Sequence, residues 1–117
     1  MNIDLDKVPL SASEALQMFI AALTDEEKKT LMDLKENDLA LFHHSLGQEI
    51  RVMWSMDEKD TPLVNSFKLI GITHPEDMSG IIINSTWRQL HKKPIKLKEQ
   101  VEYYQNYWLK EIGKKMP

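Results

Sequence analysis

Apolar positions recur along most of this chain at steps of three and four, the spacing that aligns side chains on one face of a helix. Leu16, Phe19, Ile20 and Leu23 share a face over residues 11–23, with Ser11 or Ser13 available to cap its start. Thr24-Asp25-Glu26-Glu27 reads as a capping box. It opens a short second helix that carries Leu31 and Leu34 inward and ends near Lys35. Asn37 or Asp38 can cap a third helix, in which Leu39, Phe42, Leu46, Ile50 and Met53 form one continuous stripe. Gly47 lies inside that stripe, where glycine costs about 1 kcal/mol relative to alanine. The unbroken phase points to close packing at Gly47 rather than to a break.

Residues 57–62 form a polar connection, and Thr61-Pro62 opens a fourth helix with a cap followed by a proline at the first helical position. Leu63, Phe67 and Ile70 face inward there, and Gly71 suits the residue just past the end. Thr73-His74-Pro75-Glu76 starts a fifth helix, with Thr73 and Glu76 as a capping box and Met78, Ile82, Ile83, Trp87 and Leu90 on its buried face. After Lys92-Lys93-Pro94, a sixth helix runs from about Leu97 to Ile112, with Leu97, Val101, Tyr104 and Trp108 as its seam and Gly113 as its stop. No segment alternates as a strand does. The pattern predicts an all-α fold: a compact single domain over residues 1–117, built as a bundle of five to six helices.

Composition agrees with a globular chain: 42% of the 117 residues are hydrophobic and 28% charged. Cysteine is absent, which excludes disulfides, thiol catalysis and cysteine-ligated metals and suits a cytoplasmic protein. The first residues have no basic, apolar leader character, and no apolar run approaches the roughly 20 residues of a membrane helix. Charge is uneven. Residues 1–60 hold 13 acids and 6 bases, a balance of −7, whereas residues 61–117 hold 5 acids and 9 bases, a balance of +4. The acidic half can meet a basic partner. The net charge of −3 weighs against nucleic acid, despite the lysines and aromatics near the end.

Chemistry-bearing residues concentrate in THPEDMSG, where a helix start offers free N–H groups and a positive dipole end. His74, Asp77 and Ser79 remain after capping has explained Thr73, Pro75 and Glu76. His43 and His44 are adjacent and point about 100° apart on a helix, so they cannot readily share one metal. No HExxH, GxSxG or glycine-rich phosphate loop occurs. No catalytic residue, metal or cofactor is therefore assigned. The chain has only two arginines, Arg51 and Arg88, each next to an inward-facing residue. Arg51 can pair with Asp77 and tie two helices together. Alternatively Arg51, Arg88 and His44 can join the fifth helix start in a site for a small anionic ligand. Tyr103 and Tyr107, at i and i+4 on the last helix, form a stripe suited to a protein partner.

The segments LFHHSLGQEIRVMW, LIGITHPEDMSGIII and WRQLHKKPIKLKEQVEYYQNYW resemble a group of small bacterial and phage-type proteins classed as a domain of unknown function. Its members read FHxxLGxxIRNxW, LGIxHPDDMSGIIL and QxxYYxxYW. The likeness spans about residues 37–108 and departs at Val52-Met53, in place of a pair containing asparagine, and at Glu76, in place of aspartate. The resemblance brings no established activity. Its general character implies a small binding protein of immunity, antitoxin or phage counter-defence type that acts through protein–protein contact. The other expectation is a small-molecule or nucleotide-binding module using His44, Arg51, His74, Asp77, Ser79 and Arg88.

Overall fold

In the computed structural model, which describes residues 1–2, 4 and 6–115 (of 113–115 the backbone alone), the described chain is all-helical. Seven α-helices form among these residues, more than the five or six expected: α1 (Ala12–Ala22), α2 (Asp25–Asp33), α3 (Ala40–His44), α4 (Leu46–Met53), α5 (Pro62–Leu69), α6 (Pro75–Leu90) and α7 (Leu97–Lys115). The extra helix arises where residues 37–53 were expected to run unbroken. A 3-10 turn spans Glu36–Asp38, and the helix then breaks at Ser45. Leu39, Leu46 and Ile50 are nonetheless all buried, so the stripe keeps its phase across the break.

Local signals fix most helix starts. Ser11 caps α1 by accepting from the Glu14 N–H at 3.1 Å. Thr24 and Glu27 exchange both capping-box bonds at the start of α2. Thr61 accepts from the Val64 N–H ahead of Pro62 in α5. The start of α6 differs from expectation, because its cap is His74 and makes no side-chain capping bond. Pro75 occupies the first helical position, so the residue before it must be the cap, and a Thr73–Glu76 box falls out of register. Thr73 instead places its hydroxyl 3.3 Å from the His74 Nδ1. At the far end, α7 passes through Gly113 rather than stopping there.

The central element is α6, which packs against α1, α2, α3, α4 and α7. Ten of its 16 residues are buried, including Met78, Ile82, Ile83 and Trp87. Phe19, Leu31, Ile50, Trp54, Leu63, Phe67 and Ile72 complete the core around it. Burying each such side chain contributes about 1.5–3 kcal/mol. Past α6 the chain reverses through a turn in which Lys92 and Lys96 adopt left-handed backbone angles (φ 56° and 53°). That reversal lays α7 along α6. Within α7, Val101 is buried and Tyr104 and Trp108 half-buried, but the expected seam residue Leu97 is exposed.

Two glycines set the packing around α6. A Cβ on Gly47 would lie 3.1 Å from the Arg51 Nη1 and 3.4 Å from both Ile83 Cδ1 and Ser79 Oγ. Close packing at Gly47 is thus what lets the Arg51 guanidinium reach α6. On Gly80 a Cβ would collide with the Tyr104 hydroxyl of α7.

Candidate functional site

The residues singled out at the start of α6 divide into two structural groups. Arg51 does not pair with Asp77. Its Nη1 donates to Ser79 Oγ at 2.8 Å and to the His43 carbonyl at 3.4 Å. Ser79, fully buried, passes its own proton to the Glu76 carbonyl at 3.0 Å. Asp77 instead turns toward α7 and accepts from the Trp108 Nε1 at 2.8 Å. His74 stacks on the same indole, with ring centroids 3.8 Å apart and planes 12° from parallel. Burial pushes the Asp77 carboxyl above its ordinary range, against the Trp108 hydrogen bond and the nearby His74, which favour charge. A shallow cleft of 430 Å³ passes this point, lined largely by apolar side chains such as Ile72, Leu109 and Ile112. Of the polar groups facing it, the Thr73 hydroxyl, the Asp77 carboxylate, the Trp108 N–H and the Gln105 amide each have a partner.

The opposite arrangement occurs nearer the C-terminal end of α6. There a cleft of 680 Å³ opens between the 36–40 segment, α3, α6 and α7. Its walls carry Glu36, Asn37, His43, Asn84, Arg88, Lys96, Glu99, Gln100, Tyr103 and Tyr104. Among the described residues, four solvent-shielded side-chain polar atoms have no hydrogen-bond partner, and three belong to this cleft: His43 Nε2, Arg88 Nε and Gln100 Oε1. The fourth is Trp54 Nε1, in the core. An unpaired, desolvated donor or acceptor costs about 1–3 kcal/mol. Three in one cleft is a concentration that folding alone does not reward.

Each of the three is held in place by other bonds. Arg88 Nη2 donates to Glu36 Oε1 at 2.6 Å, and Nη1 to the Pro94 carbonyl at 3.4 Å. The shielded Nε–H of that guanidinium is left without a partner. Gln100 Nε2 donates to Ser85 Oγ at 3.1 Å and to the Ile95 carbonyl at 2.8 Å. Reversing the amide would set its oxygen against the Ile95 oxygen, so the orientation is fixed and Oε1 faces away unpaired. Burial holds the His43 imidazole below its ordinary range; a side-chain hydrogen bond with Asn84 favours the charged form, while Arg51 and His44 oppose it. Burial also pushes the Tyr104 phenol up to about 12, with Asp77 and Tyr103 adding to the effect, so it stays a neutral hydroxyl.

Of the sequence candidates, only Arg88 and Tyr103 line this cleft. Arg51, His74, Asp77 and Ser79 lie in the partnered networks above. His44 is exposed on the other side of α3, in a depression shared with Met1, Gln48 and Met53. Tyr107 is 48% exposed and touches Trp108 edge-on. His91 is not a ligand-bearing side chain, since its ring nitrogens lie 2.8 Å from the Trp87 carbonyl and 3.0 Å from that of Met32. Among the described residues, no three His, Asp or Glu converge on a common point that could hold a metal. His43, Asn84 and Gln100 were missed. For His43 the signal was present: it lies four residues after buried Leu39 and three before buried Leu46, so it shares their face, whereas His44 does not.

These features define a small all-α bundle whose central helix is flanked by one partnered and one unpartnered polar region. Residues 8–90 match the family described as a domain of unknown function (DUF6794), and the chain belongs to that family. The match begins earlier than the motif likeness suggested and ends with α6. It includes Glu36, His43, Asn84 and Arg88 on one side of the cleft, while Gln100, Tyr103 and Tyr104 on α7 lie beyond it. Neither a curated protein nor a solved structure matches the chain. No helix among the described residues is long and apolar enough to cross a membrane.

Proposed function

We propose that this protein is a non-catalytic binding module that takes a small polar molecule in the cleft between α3, α6 and α7. The observation that carries this reading is the clustering of three unpaired, shielded polar atoms on one cleft of ligand-sized volume. A ligand bringing matching groups recovers the cost of leaving those atoms unpaired. Cleft charge refines the small-anion expectation. Arg88 and Lys96 are balanced by Glu36 and Glu99, so the walls offer an anion no net attraction. The experiment is a metabolite screen by protein-observed NMR, with resonances of His43, Asn84 and Gln100 as reporters. Ligands that shift those resonances, but not the ones around Thr73 and Asp77, support the reading. A screen in which every binder perturbs the His74–Asp77 region instead contradicts it.

A second reading keeps the protein-partner expectation, with an immunity, antitoxin or counter-defence role in the cytoplasm. Its support is the exposure of Tyr103 (67%) and Tyr107 (48%) on one side of α7, since tyrosine is enriched among residues that dominate interfaces. A single protein that co-purifies with the native chain but not with a Tyr103→Ala/Tyr107→Ala variant is its expected signature. Equal recovery with both proteins contradicts it.

A further inference from the structure

We infer that the ligand of the α3–α6–α7 cleft is recognised through a neutral, planar amide edge, a carbonyl next to an N–H, as in a primary carboxamide or a lactam. This rests on the reading of the cleft as a binding site and names the chemistry that the site selects.

Each orphaned atom restricts what can satisfy it. Arg88 Nε is an obligate donor, because guanidinium has no acceptor, and it is left unpaired while the terminal nitrogens donate to Glu36 and the Pro94 carbonyl. It requires an acceptor on the ligand. Gln100 Oε1 is an obligate acceptor, fixed by the two bonds that Nε2 donates to Ser85 and Ile95. It requires a donor. His43 Nε2 supplies either role, according to which nitrogen of the neutral ring carries the proton.

Simple ions fail this pair of demands. A carboxylate or phosphate satisfies Arg88 but confronts Gln100 Oε1 with a second acceptor, close to the carboxylates of Glu36 and Glu99. An ammonium satisfies Gln100 but faces Arg88 as a like charge. An amide edge carries one acceptor and one donor side by side and adds no charge to a cleft whose fixed charges cancel. A flat ligand also finds aromatic surface to pack on, from the Tyr103 and Tyr104 rings and the His43 imidazole. The three atoms are shielded from solvent, so binding requires a wall side chain, such as the 67% exposed Tyr103, to turn aside.

The test uses probes that share one ring and differ in one group: nicotinamide (amide), nicotinate (carboxylate) and 3-(aminomethyl)pyridine (ammonium), with uracil as the lactam arm. Binding to the full chain is measured by NMR titration at neutral pH. The expected result is that nicotinamide or uracil binds at the cleft about tenfold or more tightly than either charged probe, the scale of one mismatched hydrogen bond to a charged group. His43→Phe and Gln100→Leu, each checked for native folding by circular dichroism, weaken that binding at least several-fold. Between the two neutral arms, the tighter one separates carboxamide from lactam. Nicotinate or the ammonium binding the cleft equally or more tightly overturns the amide assignment while leaving the cleft as a binding site. Failure of all four probes to perturb the cleft overturns both.

Discussion

The two ends of α6 carry similar side chains and use them in opposite ways. Near its start, Arg51 and Ser79 form one bonded group and Asp77, Trp108 and His74 another, and together they join α4, α6 and α7. Near its end, Arg88, Gln100 and His43 are anchored by some of their atoms while one polar atom of each is left unpaired. A completed network contributes to stability, because removing any member strands another buried group. An incomplete one costs stability, a cost that the proposed ligand would recover. Polar composition marks neither end as a site. The state of its hydrogen bonds does.

The contrast breaks most sharply at Trp108. Trp108→Phe removes the donor to a buried carboxylate and should lower stability by about 1.5–3 kcal/mol in urea denaturation, the range for hydrogen bonds to charged groups. An unchanged unfolding midpoint would show that the start of α6 is not a completed network. The next effect in size is expected at Gly80, which lies between the two regions. Alanine in a helix interior normally gains about 1 kcal/mol over glycine. Here the added methyl meets the Tyr104 hydroxyl, so Gly80→Ala should lose about 1–2 kcal/mol. Adding Tyr104→Phe should restore part of that loss, and no recovery would contradict the contact.

The two regions should also respond to pH with opposite signs. Asp77 has its pKa raised from 3.8 by burial, so the folded state holds that proton more tightly than the unfolded chain. Its contribution is fully present below pH 3.8 and is lost as pH rises through the raised value. His43 has its pKa lowered from 6.5 by burial. Its contribution is present above pH 6.5 and is lost as pH falls through the depressed value. Stability profiles of Asp77→Asn and His43→Phe should therefore each lose one of these slopes, the first in the acid range and the second just below neutrality. Profiles parallel to that of the native chain would contradict both assignments.

Much of the fold was legible in local sequence, because caps and apolar spacing act within one turn. Ser11, Thr24 and Thr61 all cap as their positions suggested, and the Leu39–Leu46–Ile50 stripe is buried. The break at Ser45 was not legible, since the stripe continues across it in phase. The start of α6 was misread by one residue because Thr73 and Glu76 have capping-box spacing, yet Pro75 alone sets the register. The cleft was largely hidden for a different reason. Its walls bring residues 36–43 against residues 84–104, far off in sequence, and an unpaired atom is visible only after every neighbour has been placed. Arg88 stood out through the scarcity of arginine and Gln100 only as the first residue of the QxxYYxxYW likeness, while Asn84 carries no local signature.

The most direct measurement is a paired one, the unfolding free energies of His43→Phe and Trp108→Phe at neutral pH. Both changes keep an aromatic ring and delete polar nitrogen, one at the unpartnered end of α6 and one at the partnered end. The expected result is a clear difference in size: Trp108→Phe destabilises by about 1.5–3 kcal/mol, while His43→Phe costs less, because it deletes an unpaired buried Nε2 along with the contact to Asn84. Comparable destabilisation by both would contradict the division of α6 into a structural network and a ligand cleft.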